Sequence, residues 1–255
     1  MSKFIEKLKR FSQTAPEPIG FRTRQGVPTR HKIQVVASLT ADNLDSIADL
    51  AACVDALLLQ LDSRNLDNLP EAISDVPWGV RLTNGSPSEL QEITKAGGDF
   101  VVFPVDTPLA ILDNADTGKI LEVEVSLDHG LVMTTGRLPV DALVVISGLK
   151  EGEPLTMKHL MLIQRFAAFP EKPLVVSTPA SITSGELQSL WRAGVDCLLI
   201  ESSAQNLDKL KELRQTIDSM TFPLPRRREQ VSPVLPVLGA EPGVPPEEEE
   251  EGDDE

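Results

Sequence analysis

Residues 54–59 read VDALLL, 140–145 read VDALVV and 195–200 read VDCLLI, with GDFVVF at 98–103 completing the set. In each, an aspartate leads four consecutive apolar residues. Such a run is short for a buried helix and suits a strand covered on both faces. The leading aspartates Asp55, Asp99, Asp141 and Asp196 stand 44, 42 and 55 residues apart, which marks an internal repeat. Four more strand candidates alternate with these: IQVVASL (33–39), WGVRL (78–82), ILEVEVSL (120–127) and LVVST (174–178). The third and seventh strands are preceded by proline, as VPWGV and KPLVV. Between strands lie LDSIADLAAC, SELQEITKAG, MKHLMLIQRFAAF, GELQSLWRAG and finally AQNLDKLKELRQTIDSM, with apolar residues at spacings of three and four.

Eight strands alternating with helices predict a parallel sheet with right-handed crossovers. A four-fold repeat of two units argues for closure, because alternate strands of a barrel fill alternate layers of its core. The glycines of KAGGD (95–99) and RAGVD (192–196) suit a left-handed helix end before the next strand. On this element order and the AG-(V/G)-D lead, residues 33–220 resemble the TIM-barrel (β/α)8 superfamily. The fold class expected is α/β, a single (β/α)8 barrel. AGVDCLLIESSAQN (193–206) also resembles a barrel strand of the IMP dehydrogenase family. There, the acid and serines after the strand contact cofactor or nucleotide, which implies such a role for Glu201, Ser202 and Ser203. The chain departs from that family in having no glycine-rich loop with a catalytic cysteine, and Cys197 falls inside a strand.

Charge divides the 255 residues into three parts. Residues 1–32 hold eight basic and two acidic side chains, residues 33–220 hold 13 and 27, and residues 221–255 hold three and ten; the net charge is −15. The first part opens MSKFIEKLKRF, where Phe4, Ile5, Leu8 and Phe11 make one stripe of a basic amphipathic helix. That stripe fits an anionic membrane surface or, more simply, the body of the domain. The last part holds seven of the 20 prolines and an acidic run from Glu247 to Glu255, and reads as a disordered tail. No apolar run is long enough to span a bilayer, no signal peptide is apparent, and two cysteines point to a reducing cytoplasm. The acidic barrel excludes nucleic acid as a partner. Protein partners are expected through the basic helix or the acidic tail.

Catalysis in such a barrel belongs at the C-terminal ends of the strands. In LEVEVSL, Glu122, Glu124 and Ser126 alternate with apolar residues that must face the helices, so the glutamates point into the barrel. Arg81 is inward by the same test, with Gln34, Ser38 and Gln60. A buried carboxylate needs a partner, so Arg81 is expected to bond Glu124 or Glu122. The guanidinium could also clamp a ligand carboxylate or phosphate. Arg81, Glu124 and His129, beside Asp128, are the catalytic candidates; Gln60, Glu122, Ser177, Glu201 and Ser202 are the ligand-binding ones.

Acids at the rim would suit a hard cation, but Asp42, Asp62 and Asp106 each precede a helical pattern and read as N-caps. No metal site and no cofactor is assigned; His31 and His159 lack partners at zinc spacing. No lysine is expected inside a strand, which leaves no Schiff-base candidate. STPASITSGE and ESSAQN lack paired glycines for a phosphate, although Ser181, Thr183 and Ser184 could weakly hold an anion. Cys53 and Cys197 read as buried thiols. Two functions follow: a barrel binding a small metabolite, an anionic one among the candidates, at its C-terminal rim; or a non-catalytic barrel acting as an interaction or scaffold protein.

Overall fold

The computed structural model describes residues 2–12, 33–40, 47–60, 76–83, 85–113, 116–168, 172–202 and 206–222. Of the Pro-rich acidic segment expected as a disordered tail over 221–255, Thr221 and Phe222 are described, with Phe222 buried against Trp191; its remainder, the loop positions Asp42, Asp62 and Ser203, and His31 lie outside the described residues.

Eight parallel strands close in sequence order: β1 Gln34–Thr40, β2 Ala56–Gln60, β3 Trp78–Arg81, β4 Phe100–Pro104, β5 Gly118–Glu124, β6 Ala142–Ile146, β7 Leu174–Ser177 and β8 Cys197–Glu201. Helix α1 (Lys3–Ser12) precedes the barrel. Around it run α2 (Ile47–Ala51), α3 (Pro87–Lys95), α4 (His129–Thr135), α5 (Met157–Ala167), α6 (Ser184–Arg192) and α7 (Leu207–Ser219). A 3₁₀ turn, Leu109–Asp113, follows β4. Gly97 and Gly194 adopt positive φ of 87° and 94°, the left-handed helix ends read from KAGGD and RAGVD. Ser86, Asp128, Thr156 and Thr183 cap α3 to α6 with side-chain hydrogen bonds. The cap expected at Asp106 leads only into the 3₁₀ turn.

Strand parity separates two apolar layers. Val35, Leu57, Val80, Val101, Val123, Leu143, Val176 and Leu198 face the helices, while Val36, Leu58, Phe100, Ile120, Val144, Val175 and Leu199 fill the interior. Gly79 supplies the room for Phe100, since a Cβ there would lie 2.4 Å from the Phe100 carbonyl oxygen and 2.5 Å from its ring. Strand β5 begins two residues earlier than expected and turns at Val125, where the Leu127 N–H bonds the Glu124 carbonyl. That shift places Lys119 inside a strand, against expectation. Lys119 shares the outward parity of Leu121 and Val123 and sits at the N-terminal end of β5, so the barrel interior still holds no lysine among the described residues.

The N-terminal mouth is closed by α1. Phe4, Ile5 and Leu8 are buried in the interior cluster, and Phe4 packs on Phe100 with ring centroids 4.9 Å apart. Gly118 leaves space for this, as its Cβ would fall 2.6 Å from Ile5. Burying three such side chains contributes on the order of 5 kcal/mol. The repeated aspartates fix the helix in place. Asp55, Asp141 and Asp196 each accept the backbone N–H of the preceding odd strand, from Val35 (2.9 Å), Lys119 (3.0 Å) and Leu174 (2.8 Å). Asp55 and Asp141 also pair with Lys7 (2.6 Å) and Lys9 (2.7 Å) of α1. Asp99 instead accepts N–H groups from Lys3 and Phe4. The stripe that fitted a membrane on sequence grounds is thus committed to the barrel floor.

Candidate functional site

At the opposite mouth, the inward residues of the last strand layer are polar except on β4 and β6, where Pro104 and Ile146 close the layer. Arg81 closes β3 and donates from Nε to Glu122 Oε2 at 2.7 Å, with 23% and 22% of their side chains exposed. Among the described residues, the two Nη nitrogens have no hydrogen-bond partner. The guanidinium is therefore neutralised along one edge and open along another. Glu122, and not Glu124, is the partner because β3 ends at Arg81. Arg81 is in register with Val102 and Glu122 with Pro104, whereas Glu124 stands one layer higher, exposed, accepting the Ser126 hydroxyl at 2.9 Å.

Across the mouth, Gln60 Nε2 donates to Ser38 Oγ at 2.8 Å, and Ser38 is in register with Glu201 on β8. Gln60, Ser38 and Glu201 therefore occupy neighbouring strands β2, β1 and β8, with the Glu201 carboxylate exposed. Ser177 of β7 is tied to the end of β6: its Oγ accepts the Ser147 N–H at 2.9 Å and its carbonyl accepts the Ser147 hydroxyl at 2.5 Å. Ser202 and Thr178 are buried at the ends of β8 and β7, and the hydroxyl oxygens of both have no partner among the described residues. Ser177 and Ser202 are thus at the strand ends where the sequence put them, while the brace between Ser147 and Ser177 carries no pattern visible in the sequence.

His129 is the first residue of α4 and is exposed; its neighbour Asp128 is occupied as the helix cap, accepting the Gly130 N–H at 2.8 Å. Ser181 is exposed in the loop after β7, where the α6 N-terminus is already capped by Thr183 and Glu186. Burial acts to raise the Glu186 carboxyl, but hydrogen bonds from Thr183 and from the Leu155 N–H bring it below the ordinary carboxylate range. A carboxylate held ionised there opposes an anion. Cys197 lies in the interior layer, where burial and then the nearby Asp55 and Asp196 charges push its thiol well above the ordinary value. It is no nucleophile. Among the described residues, no three His, Cys, Asp or Glu side chains are grouped to hold a metal ion.

Below the polar layer the interior is filled. A residual cavity of about 10 Å³, lined by Phe4, Leu58, Phe100, Val144, Leu199 and other apolar side chains, is no larger than one water. The interior between the described strands has no room for a ligand larger than a water.

No family model and no curated protein matches the chain. Solved structures do. A mutant tryptophan synthase alpha-subunit from Pyrococcus furiosus aligns with a TM-score of 0.55 at 14% identity, covering 74% of this chain and 98% of that one. A tryptophan synthase from M. tuberculosis aligns at 0.57 and 14%, covering 73% and 93%. Thiamine phosphate pyrophosphorylase from Pyrococcus furiosus aligns at 0.55 and 12%, covering 74% and 97%. The likeness is one of fold. The TIM barrel expected from the sequence is the fold the chain has, and its similar structures include enzymes; at this identity no residue role passes across. Among the described residues, no helix is long and apolar enough to cross a membrane.

Proposed function

We propose that the protein binds a small polar metabolite on the C-terminal mouth of its barrel, with Arg81 as the anchoring group. The observation that carries this reading is the Arg81–Glu122 pair, an inward ion pair placed above a core otherwise filled with apolar side chains, with neither Nη nitrogen bonded among the described residues. An open guanidinium edge takes a carboxylate, phosphate or carbonyl oxygen in a forked hydrogen bond.

The inward positions of the mouth set one guanidinium against the three carboxylates of Glu122, Glu124 and Glu201. That balance supports a ligand with a single anionic or carbonyl group for Arg81, and hydroxyl or amine donors for Glu124, Glu201 and the side-chain oxygen of Gln60. Ser177 and Ser202 line the adjoining strand ends. If the site is catalytic, Glu124 is the acid or base that ligand would meet first, with His129 placed at the start of α4. The two free thiols support a reducing, cytoplasmic setting.

A second reading, a barrel without catalysis that acts through protein contacts, draws support from the filled interior. Of the two attachment points expected from the sequence, the apolar face of α1 is buried in the barrel, which leaves the C-terminal segment. Native mass spectrometry of protein from its own host separates the two. A stoichiometric small molecule, lost in Arg81→Ala while the melting temperature is kept, supports the metabolite reading. A clean chain mass, with no thermal shift across a metabolite panel, overturns it in favour of the second.

A further inference from the structure

The large apolar side chains left in solvent are not scattered. Among the described residues they are Val105, Leu109, Leu131, Met133, Leu138, Met157 and Met161, all between the end of β4 and the middle of α5. Five of the seven belong to α4, the turn after it, and α5, two helices in contact on the outside of the barrel. Met157 and Met161 are 73% and 69% exposed and stand one turn apart on α5, opposite Ile163 and Phe166, which are buried. Leu131 and Met133 flank the buried Val132 on α4. Single exposed leucines need no explanation; a whole sector of them does.

The charge pattern singles out the same two helices. Neither α4 (HGLVMTT) nor α5 (MKHLMLIQRFA) contains a carboxylate, whereas α2, α3, α6 and α7 each contain at least one. On a chain of net charge −15, this is the face on which another copy can approach without stacking acid on acid. The acids stand at its edges, Asp128 before α4 and Glu151 and Glu153 before α5, while Lys158 is exposed on α5 itself. A two-fold contact meets each patch with its own image, and two helices without carboxylates then meet no carboxylate of their own in that image. The five side chains on α4, the turn after it and α5 expose on the order of 500 Å² of apolar surface, at the upper end of the roughly 300–600 Å² of the largest patch on a typical monomer.

We infer that the α4–α5 face is a homodimer interface, with Met157 and Met161 at its centre. Methionine suits that place, because an unbranched, polarizable chain adapts to its own image across a two-fold axis.

The test is light scattering coupled to size exclusion on the full chain, from about 1 to 100 µM, with analytical ultracentrifugation. The wild type is expected at twice the 27.7 kDa chain mass at the upper concentrations. Met157→Lys with Met161→Lys should shift it to a monomer, with an unchanged circular dichroism spectrum, since both side chains already point to solvent. Exposed Gln215→Lys on α7 is the control and should leave the dimer intact. A wild type that stays monomeric throughout overturns the inference. So does a dimer that survives the methionine pair, or one lost only when residues 223–255 are removed, which would give the contact to the C-terminal segment.

Discussion

Asp99 Oδ2 accepts the backbone N–H of Phe4 at 2.9 Å, so the aspartate leading β4 is the N-terminal cap of a helix 95 residues before it. The Lys3 N–H meets the other oxygen at 2.7 Å, and the Ser2 hydroxyl joins Oδ2 at 2.7 Å. A helix start leaves N–H groups unsatisfied, and a carboxylate there also sits favourably in the helix field. The four-fold repeat thus does two jobs. Three aspartates hold the backbone of an odd strand, and the one before β4 holds the helix that closes the floor.

Replacing that cap should be felt in the fold as a whole. Asp99→Ala is expected to cost about 1–2 kcal/mol, whereas Asp99→Asn, which keeps one acceptor oxygen but turns an amide NH2 toward the other donor, should recover only part of that. Urea unfolding of the two variants against the wild type measures the difference. Equal losses would mean that the charge, and not the acceptor geometry, holds α1.

Phe4 should matter more. It is 1% exposed and stacked on Phe100 inside the barrel floor, so Phe4→Ala removes both burial and filling. A loss of about 3–5 kcal/mol is expected, with Lys3→Ala on the exposed side of the same helix within about 0.5 kcal/mol. A change below about 1 kcal/mol for Phe4→Ala would show that the barrel stands without its plug.

The strands were legible because each is a short apolar run with a punctuating aspartate, proline or glycine at its head. The parity of Arg81, Glu122 and Glu124 was legible too, since Val80, Leu82, Val123 and Val125 fix which face is outward. The stagger between strands was not. It depends on how the closed sheet tilts, which no local pattern records, and so Glu122 and Glu124 could not be told apart as partners of Arg81. Lys119 was missed because β5 starts at Gly118, a residue of low strand preference placed there to make room for Ile5. The role of the aspartates as a cradle for α1 joins segments far apart in the chain, and neither segment announces the other.

The Arg81–Glu122 pair gives a graded expectation. Each side chain is about one-fifth exposed, between a surface pair and a buried one. A double-mutant cycle with Arg81→Met and Glu122→Leu should give a coupling of about 1 kcal/mol in chemical unfolding, with the double variant near wild-type stability. Each single change should cost more than the pair together. If Glu122→Leu alone is neutral, the pair is not coupled and Arg81 is held by other means.

Thiol chemistry tests the inner layer. Cys197 is buried with its thiol value raised, while Cys53 is half-buried beside the end of α2. A disulfide reagent at neutral pH should modify at most Cys53 in the folded chain and both after denaturation. Prompt labelling of two thiols in the native protein would mean that the barrel wall at β8 opens readily.

Acid should loosen the floor through Asp141. Burial acts to raise its carboxyl, but the Lys9 hydrogen bond, the Lys119 N–H and the charges of both lysines outweigh it, and the group lies below its ordinary value of 3.8. A carboxylate depressed in the folded state contributes stability that is complete above the unfolded value and disappears as pH falls through the folded one. Asp141→Asn keeps an acceptor for the Lys119 N–H and removes the charge opposite Lys9. At pH 7 it should destabilise by no more than about 1 kcal/mol, because the Asp141 and Lys9 side chains are 33% and 41% exposed and water screens them. That gap should shrink as pH drops below 3.8 and close once the wild-type carboxyl is protonated. Urea midpoints of both proteins from pH 7 downward read it directly. Two curves that stay parallel to the lowest pH would show that Lys9 takes no hold on α1 through Asp141.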